Sequence, residues 1–124
     1  MGSIIEDEWA KLYSSNPRVQ RFAVCKESII VWQTGNWNLV NDVSDLAQAP
    51  KNAADTVNVN GVTYRRISSS SDSYVATAEN NQGHFLMASI NRTAWLLGWA
   101  TPESIPELAV IDMARSAIRL KGLV

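Results

Sequence analysis

Turn-forming residues divide the second half of the sequence into short segments, and this division constrains the fold more than any other feature. The segments are rich in β-branched, aromatic and aliphatic residues, which is typical of strands. They comprise residues 62–68, 74–79, 84–90 and 93–99. The breaks between them are short and contain serine, asparagine and glycine, so consecutive strands are expected to be antiparallel neighbours. Asn60 and Gly61 add a tight turn that pairs residues 56–59 back onto the first segment.

The N-terminal residues predict a helix. Ser3 and Glu6 have the spacing of a capping box, in which each side chain bonds the other's backbone amide. The helix is expected to run to about Ser15, because Pro17 disfavours helical geometry in the residue before it. Its apolar stripe comprises Ile5, Trp9 and Leu12, with Tyr13 beside it.

Two strands and a short helix are predicted next. Residues 19–25 and 28–34 are strand-like. The second contains an unbroken apolar run, which is typical of a central strand covered on both faces. A short helix should then end at Ala49, before Pro50. Its apolar positions are Leu39, Val43, Leu46 and Ala47.

A last helix is expected from about Pro106 to Leu120, with Gly122 as its stop. The predicted order is helix, two strands, short helix, four or more strands, helix. This order predicts a single α+β domain over residues 1–124, with a central antiparallel sheet. The N- and C-terminal helices should cover one face of the sheet and the short helix the other.

The last helix carries two kinds of surface. At about 100° per residue, one side should face the sheet and comprises Val110, Ile111, Ala114, Ala117 and Ile118. The opposite side comprises Leu108, Asp112, Arg115, Ser116 and Arg119. The two arginines have two explanations that the sequence leaves open. They complement the negative end of the helix dipole, or they meet an acidic partner, since arginine is enriched at protein interfaces.

Composition excludes several classes of function. Lys and Arg number 11 against 12 Asp and Glu, so the net charge of −1 argues against a general nucleic-acid binder or a basic membrane-surface protein. The longest apolar run, residues 94–100, is far shorter than the ~20 residues of a membrane-spanning helix. No signal-peptide pattern is visible, so the expected location is cytoplasmic. The single cysteine, Cys25, is expected to be a buried small hydrophobe.

The sequence offers no catalytic constellation. His84 is the only histidine and has no accompanying cysteine pair or carboxylate cluster, so neither catalysis nor a metal site is expected there. Glu6, Asp7 and Glu8 are expected to complement the dipole of the first helix. No glycine-rich phosphate loop is present, and no cofactor is expected. A binding protein is therefore predicted, and not an enzyme.

The order of elements and several segments resemble the profilin family over nearly the whole chain. Trp9 and Tyr13 in the first helix look like the family's N-terminal aromatic pair, and residues 30–33 look like its Ser-Val-Trp-Ala strand. Residues 59–64 are similar to the segment that opens the second half of the profilin sheet. Residues 84–99, followed by Thr101, Pro102 and Glu103, look like its paired strands and the loop before its last helix. The short chain is most similar to archaeal profilins.

The resemblance implies a monomeric, cytoskeleton-associated protein that binds and sequesters monomeric actin or an actin homologue. The implied actin-binding residues are Thr77, Glu79, Met87, Ser89, Asn91, Glu103, Leu108, Asp112, Arg115 and Arg119. It also implies a groove for proline-rich peptides, formed by Trp9, Tyr13 and Trp32.

A roadblock-type domain is the alternative interpretation. It has a similar order of elements and acts as a dimeric platform for small GTPases. The number of strands after the short helix separates the two families, because roadblock domains have three. The sequence predicts at least four, which favours the profilin resemblance.

Overall fold

One antiparallel sheet runs through the centre of the protein. The computed structural model describes residues 2–124, with side chains from Ile4 onward. Within this range seven strands are ordered β2-β1-β7-β6-β5-β4-β3. They are β1 (Val19–Lys26), β2 (Ile29–Gln33), β3 (Thr56–Val59), β4 (Val62–Ser69), β5 (Ser73–Ala78), β6 (His84–Ser89) and β7 (Ala94–Ala100). The antiparallel meander predicted for the second half is confirmed.

Three helices cover the sheet in the arrangement that the sequence predicts. They are α1 (Gly2–Ser15), α2 (Val43–Asn52) and α3 (Pro106–Leu120). Helices α1 and α3 pack on one face of the sheet, which we call the terminal-helix face, around Phe22, Leu86 and Leu96. Helix α2 packs on the opposite face, the α2 face, around Phe85 and Leu97. The capping box predicted for Ser3 and Glu6 lies outside the described side chains.

The prediction that the second strand is central is wrong. Strand β2 is an edge strand, and its side chains Ile29 and Val31 are exposed. A bulge explains the unbroken apolar run. Trp32 pairs with Val24 on the terminal-helix face, whereas Ile30 pairs with Cys25 on the α2 face. The extra residue between them lets a single edge strand contribute one side chain to each core.

The predicted end of the short helix is also wrong. Helix α2 continues through Pro50, which is buried, and ends at Asn52. Proline removes one backbone donor but does not end the helix here. Ala53 ends it instead, with a left-handed φ of 47°, and its amide bonds the Pro50 carbonyl.

Helix α3 has the predicted bounds but a different orientation about its axis. Its buried residues are Ala109, Met113, Ser116, Ala117 and Leu120. Of the residues predicted to face the sheet, Ala117 does so and Val110 is half-buried, whereas Ile111, Ala114 and Ile118 are exposed. Ser116, predicted to lie on the opposite side, is fully buried.

Close packing against β7 explains this orientation. A Cβ added to Gly98 would lie 2.6 Å from the Sδ atom of Met113. Three of the five buried residues of α3, Ala109, Ser116 and Ala117, are accordingly small, and the branched Ile111 and Ile118 point away from the sheet.

Two polar contacts fix α3 against α1. Near one end, Arg119 Nε donates to Glu8 Oε1 at 2.5 Å, and the Glu8 side chain is only 7% exposed. Directly after the C-terminal end of α1, Asn16 Nδ2 donates to Asp112 Oδ2 in the middle of α3 at 3.1 Å. Glu8, predicted to complement the dipole of the first helix, thus has a further role that the sequence did not indicate. Its carboxylate is buried between the two helices and paired with a cation.

Gly83 allows the turn before β6 to pack on Trp99. Its φ is +101°, and an added Cβ would lie 2.5 Å from atoms of the Trp99 ring. Trp99 Nε1 also donates to the Gln82 carbonyl at 3.1 Å. A side chain at position 83 would meet both a disfavoured backbone conformation and a rigid ring.

Replacing Gly83 with alanine should lower the free energy of unfolding by about 3 kcal/mol, through the clash and the backbone strain together. Gly61 provides a matched control, because its φ is +83° and nothing lies within 4 Å of an added Cβ. Gly61→Ala should cost only about 1 kcal/mol. Urea unfolding of the three proteins measures the difference, and equal costs would contradict the packing argument.

Arg119→Ala should lower the free energy of unfolding by about 2 kcal/mol, because it leaves the buried Glu8 carboxylate without its cation. Arg115→Ala is the matched control, since Arg115 is exposed, and should cost less than about 0.5 kcal/mol. In a Glu8→Gln background, Arg119→Ala should cost less than it does alone. Additive costs in the double variant would show that the pair contributes nothing.

Candidate functional site

The strand residues predicted to form one actin-binding surface fall on two faces of the sheet. Side chains alternate between the faces along β6. His84 and Leu86 lie on the terminal-helix face, whereas Phe85 and Met87 lie on the α2 face. Thr77 pairs with His84 and therefore shares the terminal-helix face with α3.

A hydrogen-bonded chain connects β5, β6 and the loop before α3. Thr77 Oγ1 lies 2.8 Å from His84 Nδ1, and His84 Nε2 lies 3.2 Å from the Pro102 carbonyl oxygen. The imidazole is 7% exposed. Because the carbonyl can only accept, Nε2 must carry a proton, and in the neutral ring Nδ1 accepts from the Thr77 hydroxyl. The chain places Thr77 close to the loop that contains Glu103.

Glu79 extends this corner of the molecule. It begins a short 3₁₀ turn, Glu79–Asn81, that follows β5. Its carboxylate lies 3.5 Å from Arg65 on β4, and both side chains are largely exposed. The ion pair itself contributes little to stability in water. Both charges remain accessible to a partner.

Glu103 is held from the opposite side by β1 and the residues before it. Arg18 Nη1 donates to the Glu103 carbonyl at 3.1 Å, and the Thr101 amide donates to the Arg18 carbonyl at 2.9 Å. The Ser104 hydroxyl and amide both donate to the Thr101 carbonyl. The Glu103 side chain is exposed. The loop therefore has a defined backbone and presents its carboxylate outward.

The outer side of α3 is a row of exposed apolar side chains with one cation among them. Leu108 is 57% exposed, Ile111 48% and Ile118 72%. Arg115 lies among them and is also exposed. We call these four residues the α3 outer face. Exposed apolar groups of this size, collected on one helix, are typical of a surface that binds another protein.

Asp112 and Arg119 take part in contacts within the chain. Asp112 is half-buried beside Asn16, and Arg119 bonds both Glu8 and Ser116. With Leu12, Ser15 and Arg115 they line a small pocket of about 120 Å³ between α1 and α3. The acidic group that meets Arg119 is thus Glu8 of the same chain.

Three predicted residues lie away from this corner. Met87 is fully buried on the α2 face, so its expected place on the surface is wrong. Ser89 pairs with Trp95, which packs on the α2 face. Asn91 lies beyond the opposite end of β6 from His84, where its amide bonds the Val124 carbonyl. Ser89 and Asn91 line a wide cleft of about 1010 Å³ together with Ala114 and Ile118 of α3, so they adjoin the α3 outer face at its C-terminal end.

The residues predicted to form a proline-peptide groove do come together. The ring centroids of Trp9 and Tyr13 are 5.4 Å apart, and those of Trp9 and Phe22 are 5.3 Å apart. Phe22 lies 6.0 Å from Trp32. Phe22 is fully buried, whereas Trp9 and Trp32 are half-buried and Tyr13 is 47% exposed. We call these four residues the aromatic cluster.

The described residues contain no sign of a reactive centre. Burial raises the pKa of the Cys25 thiol to about 11, so the thiol stays protonated near neutral pH, and the expectation of a buried cysteine is confirmed. Among residues 2–124, no three His, Cys, Asp or Glu side chains are placed to hold a metal ion. None of the helices in that range is both long and apolar enough to cross a membrane.

The sequence reasoning missed Ile111 and Ile118 as surface residues, and Arg65 as a neighbour of Glu79. The small side chains of Ala109, Ser116 and Ala117 suit a close helix–sheet contact, and this pattern could have indicated that Ile111 and Ile118 face outward. Nothing in the sequence alone indicates the Arg65–Glu79 pair, because it depends on the register of β4 with β5.

Comparison with known proteins agrees with this architecture. No protein-family model matches the chain. It is 33% identical over 126 residues to Thor profilin of Thorarchaeota archaeon (strain AB_25), and the alignment covers 98% of each protein. It is 28% identical over 94 residues to Odin profilin of Odinarchaeota yellowstonii (strain LCB_4), covering 76% of this chain and 77% of that protein.

Solved structures share the fold at lower identity. LokiProfilin1 superposes with a TM-score of 0.92 at 21% identity, with all of both chains covered. LokiProfilin1 in a complex with rabbit actin gives a TM-score of 0.90 at 22% identity, covering 100% of this chain and 98% of that one. A Roadblock/LC7 domain from Streptomyces avermitillis gives only 0.60 at 9% identity, covering 93% of this chain and 96% of that one.

Strand number and sequence identity together decide between the two families. Within residues 2–124, five strands follow α2, which agrees with the prediction of at least four. The identity to Thor profilin extends over almost the full length of both proteins. The predicted resemblance is thus confirmed, and the chain belongs to the profilin family.

Proposed function

We propose that this protein binds monomeric actin or an actin homologue and keeps the monomer from nucleating filaments. The contact surface in this proposal is the α3 outer face together with the corner formed by Thr77, Glu79 and Glu103. The observation that carries the proposal is the row of exposed Leu108, Ile111 and Ile118 on a helix whose inner side is already packed. Solved complexes of LokiProfilin1 and LokiProfilin2 with rabbit actin support actin as the partner.

The chemistry of this surface suits a protein partner. Its apolar part is the row on α3, in which Arg115 lies, and charged Glu79 and Glu103 belong to the corner beyond it. An apolar centre with a polar rim is the usual anatomy of a protein interface. A specific complex of ordinary size would cover about 800 Å² of this protein. Met87 has no part in the proposed surface, and Arg119 supports α3 through Glu8.

Sequestration follows from occupation of the monomer. A monomer whose contact surface is covered cannot join the small clusters that start a filament. Binding alone produces this effect, so the function needs no catalytic step and no cofactor. In this proposal the protein acts as a single-domain monomer in the cytoplasm, associated with the cytoskeleton.

Leu108→Asp should weaken actin binding at least about tenfold, because it places a carboxylate in the apolar centre of the interface. Val40→Asp is the matched control, because Val40 is 62% exposed and lies in the loop before α2. Polymerisation of fluorescently labelled rabbit actin, and of an archaeal actin homologue, gives the readout. The unmodified protein and Val40→Asp should lengthen the lag with dose, and Leu108→Asp should not.

Two other results have distinct meanings. A lag that Leu108→Asp preserves would place the contact surface elsewhere on the molecule. An unchanged lag with both actins, together with no co-elution of protein and monomer, would overturn the proposed function.

The aromatic cluster supports a second binding function. Proline-rich peptides bind shallow grooves lined by aromatic side chains. Here fully buried Phe22 provides a floor beneath half-buried Trp9 and Trp32, and Tyr13 extends into solvent. We propose that an extended proline-rich peptide occupies this surface.

Tyr13→Ala should weaken binding of a ten-proline peptide about tenfold, since it removes the most exposed ring of the cluster. Tryptophan fluorescence measures binding directly, because Trp9 and Trp32 belong to the cluster. A glycine-serine peptide of equal length serves as the control ligand. No fluorescence change at millimolar proline peptide, or an unchanged affinity of the Tyr13→Ala variant, would contradict the assignment.

A further inference from the structure

His84 is a buried polar residue to which the proposed contacts assign no role. It is the only histidine of the chain, and both of its ring nitrogens have partners in different elements. One partner, Thr77, lies on β5, and the other, the Pro102 carbonyl, belongs to the loop before α3. A buried side chain with both polar atoms satisfied holds those two partners in a fixed relation.

We propose that His84 is a positioning residue for the actin-binding surface, which it assembles by tying the strand part of that surface to the loop part. The inference rests on the proposed function. In it, the Nε2 proton is donated to Pro102, and Nδ1 accepts from the Thr77 hydroxyl. Thr77 and Glu103 are thereby held at a set spacing before any partner arrives.

The two hydrogen bonds of His84 matter because they hold the loop on the side that faces β5 and β6. Arg18 holds the Glu103 carbonyl from the side of β1. His84 supplies the contact on the side of β5 and β6, where Thr77 and Glu79 lie. Backbone pairing of β6 with β7 ends at His84 and Ala100, two residues before Pro102, so the imidazole extends the attachment from the strands into the loop itself. A binding surface that must be ordered on association binds more weakly than one assembled beforehand.

The same loop also sets the position of the first turn of α3. The helix begins at Pro106, four residues after the carbonyl that His84 bonds. The Leu108 and Ala109 amides both bond the Ile105 carbonyl, which joins the loop to the first turn. A displacement of the loop therefore also displaces Leu108, the first apolar residue of the α3 outer face.

Two amide substitutions separate the two bonds of the ring. Asparagine places its amide near the position of Nδ1 and glutamine near that of Nε2. His84→Asn can therefore accept from Thr77 but cannot reach Pro102, whereas His84→Gln can donate to Pro102 and loses the Thr77 bond. Each variant loses one hydrogen bond, so a merely structural role predicts similar effects of both on binding.

The positioning role predicts different effects, because the β5–β6 pairing already places Thr77 beside residue 84, whereas the loop depends on the bond to the Pro102 carbonyl. His84→Asn should weaken actin binding about fivefold, the equivalent of one net hydrogen bond. It should also speed hydrogen exchange at the Ser104 amide, which bonds the Thr101 carbonyl within the loop. His84→Gln should keep both quantities within about twofold of the unmodified protein. Thermal unfolding of the two variants serves as the control for a general loss of stability.

A measurement on the unmodified protein tests the tie without relying on the folding of a variant. NMR of the ring nitrogens should find the Nε2–H tautomer in the neutral imidazole, with a slowly exchanging proton. A proton on Nδ1, or an Nε2 proton in rapid exchange with water, would overturn the inference.

The remaining outcomes are separable. Equal loss of actin binding in the Asn and Gln variants, or no loss in either, would overturn the positioning role while leaving actin binding intact. If the unmodified protein binds no actin, the proposed function fails and the role of His84 in binding fails with it. The Ser104 exchange comparison would then still decide whether His84 holds the loop.

Discussion

The approach of α3 to β7 at Gly98 is the contact on which the other features of the surface depend. Glycine brings the strand so near that Met113 occupies the space of a missing side chain. Beside this contact the helix presents the small groups Ala109, Ser116 and Ala117 inward, together with Met113 and Leu120. Leu108, Ile111 and Ile118 point outward, where their contact with water is unfavourable. The close approach at Gly98 thus helps to determine which side of the helix is buried.

This constraint explains why apolar periodicity predicted the wrong side of α3. The method assumes that the most apolar side of a helix is the buried one. In α3 both sides are apolar, and three large aliphatic residues are on the exposed side. The same assumption failed at β2, where Ile29 and Val31 are exposed and the apolar run reflects a bulge at an edge. Both errors concern which side chains are buried. The type and the position of the two elements were predicted correctly.

Short-range sequence patterns were sufficient to predict the fold wherever a short turn joins two consecutive strands. The strands β3 to β7 were predictable because each turn between them is short and has its own residues, from Asn60 and Gly61 to Asn91. The aromatic cluster was predictable in membership, since Trp9, Tyr13 and Trp32 do converge. The corner at Thr77 and Glu103 was predictable only through the family resemblance. Alternation along β6, which the sequence alone shows, would have placed Met87 and His84 on opposite faces.

Helix α3 forms part of one proposed binding surface and is connected to the other through α1. Its outer side forms one of them, and the side next to α1 is tied by Arg119 to Glu8, the residue that precedes Trp9. A shift of α1 that changed the aromatic cluster would therefore strain a buried ion pair that also fixes the C-terminal half of α3. The N-terminal half of the helix is fixed by two other contacts, the bond of His84 to the Pro102 carbonyl and the bond of Asn16 to Asp112. Leu108 lies in that half, close to the loop and one turn before Asp112. The position of Leu108 thus depends on these two contacts more than on the ion pair, and Asn16, which directly follows α1, connects it to the helix that carries Trp9 and Tyr13.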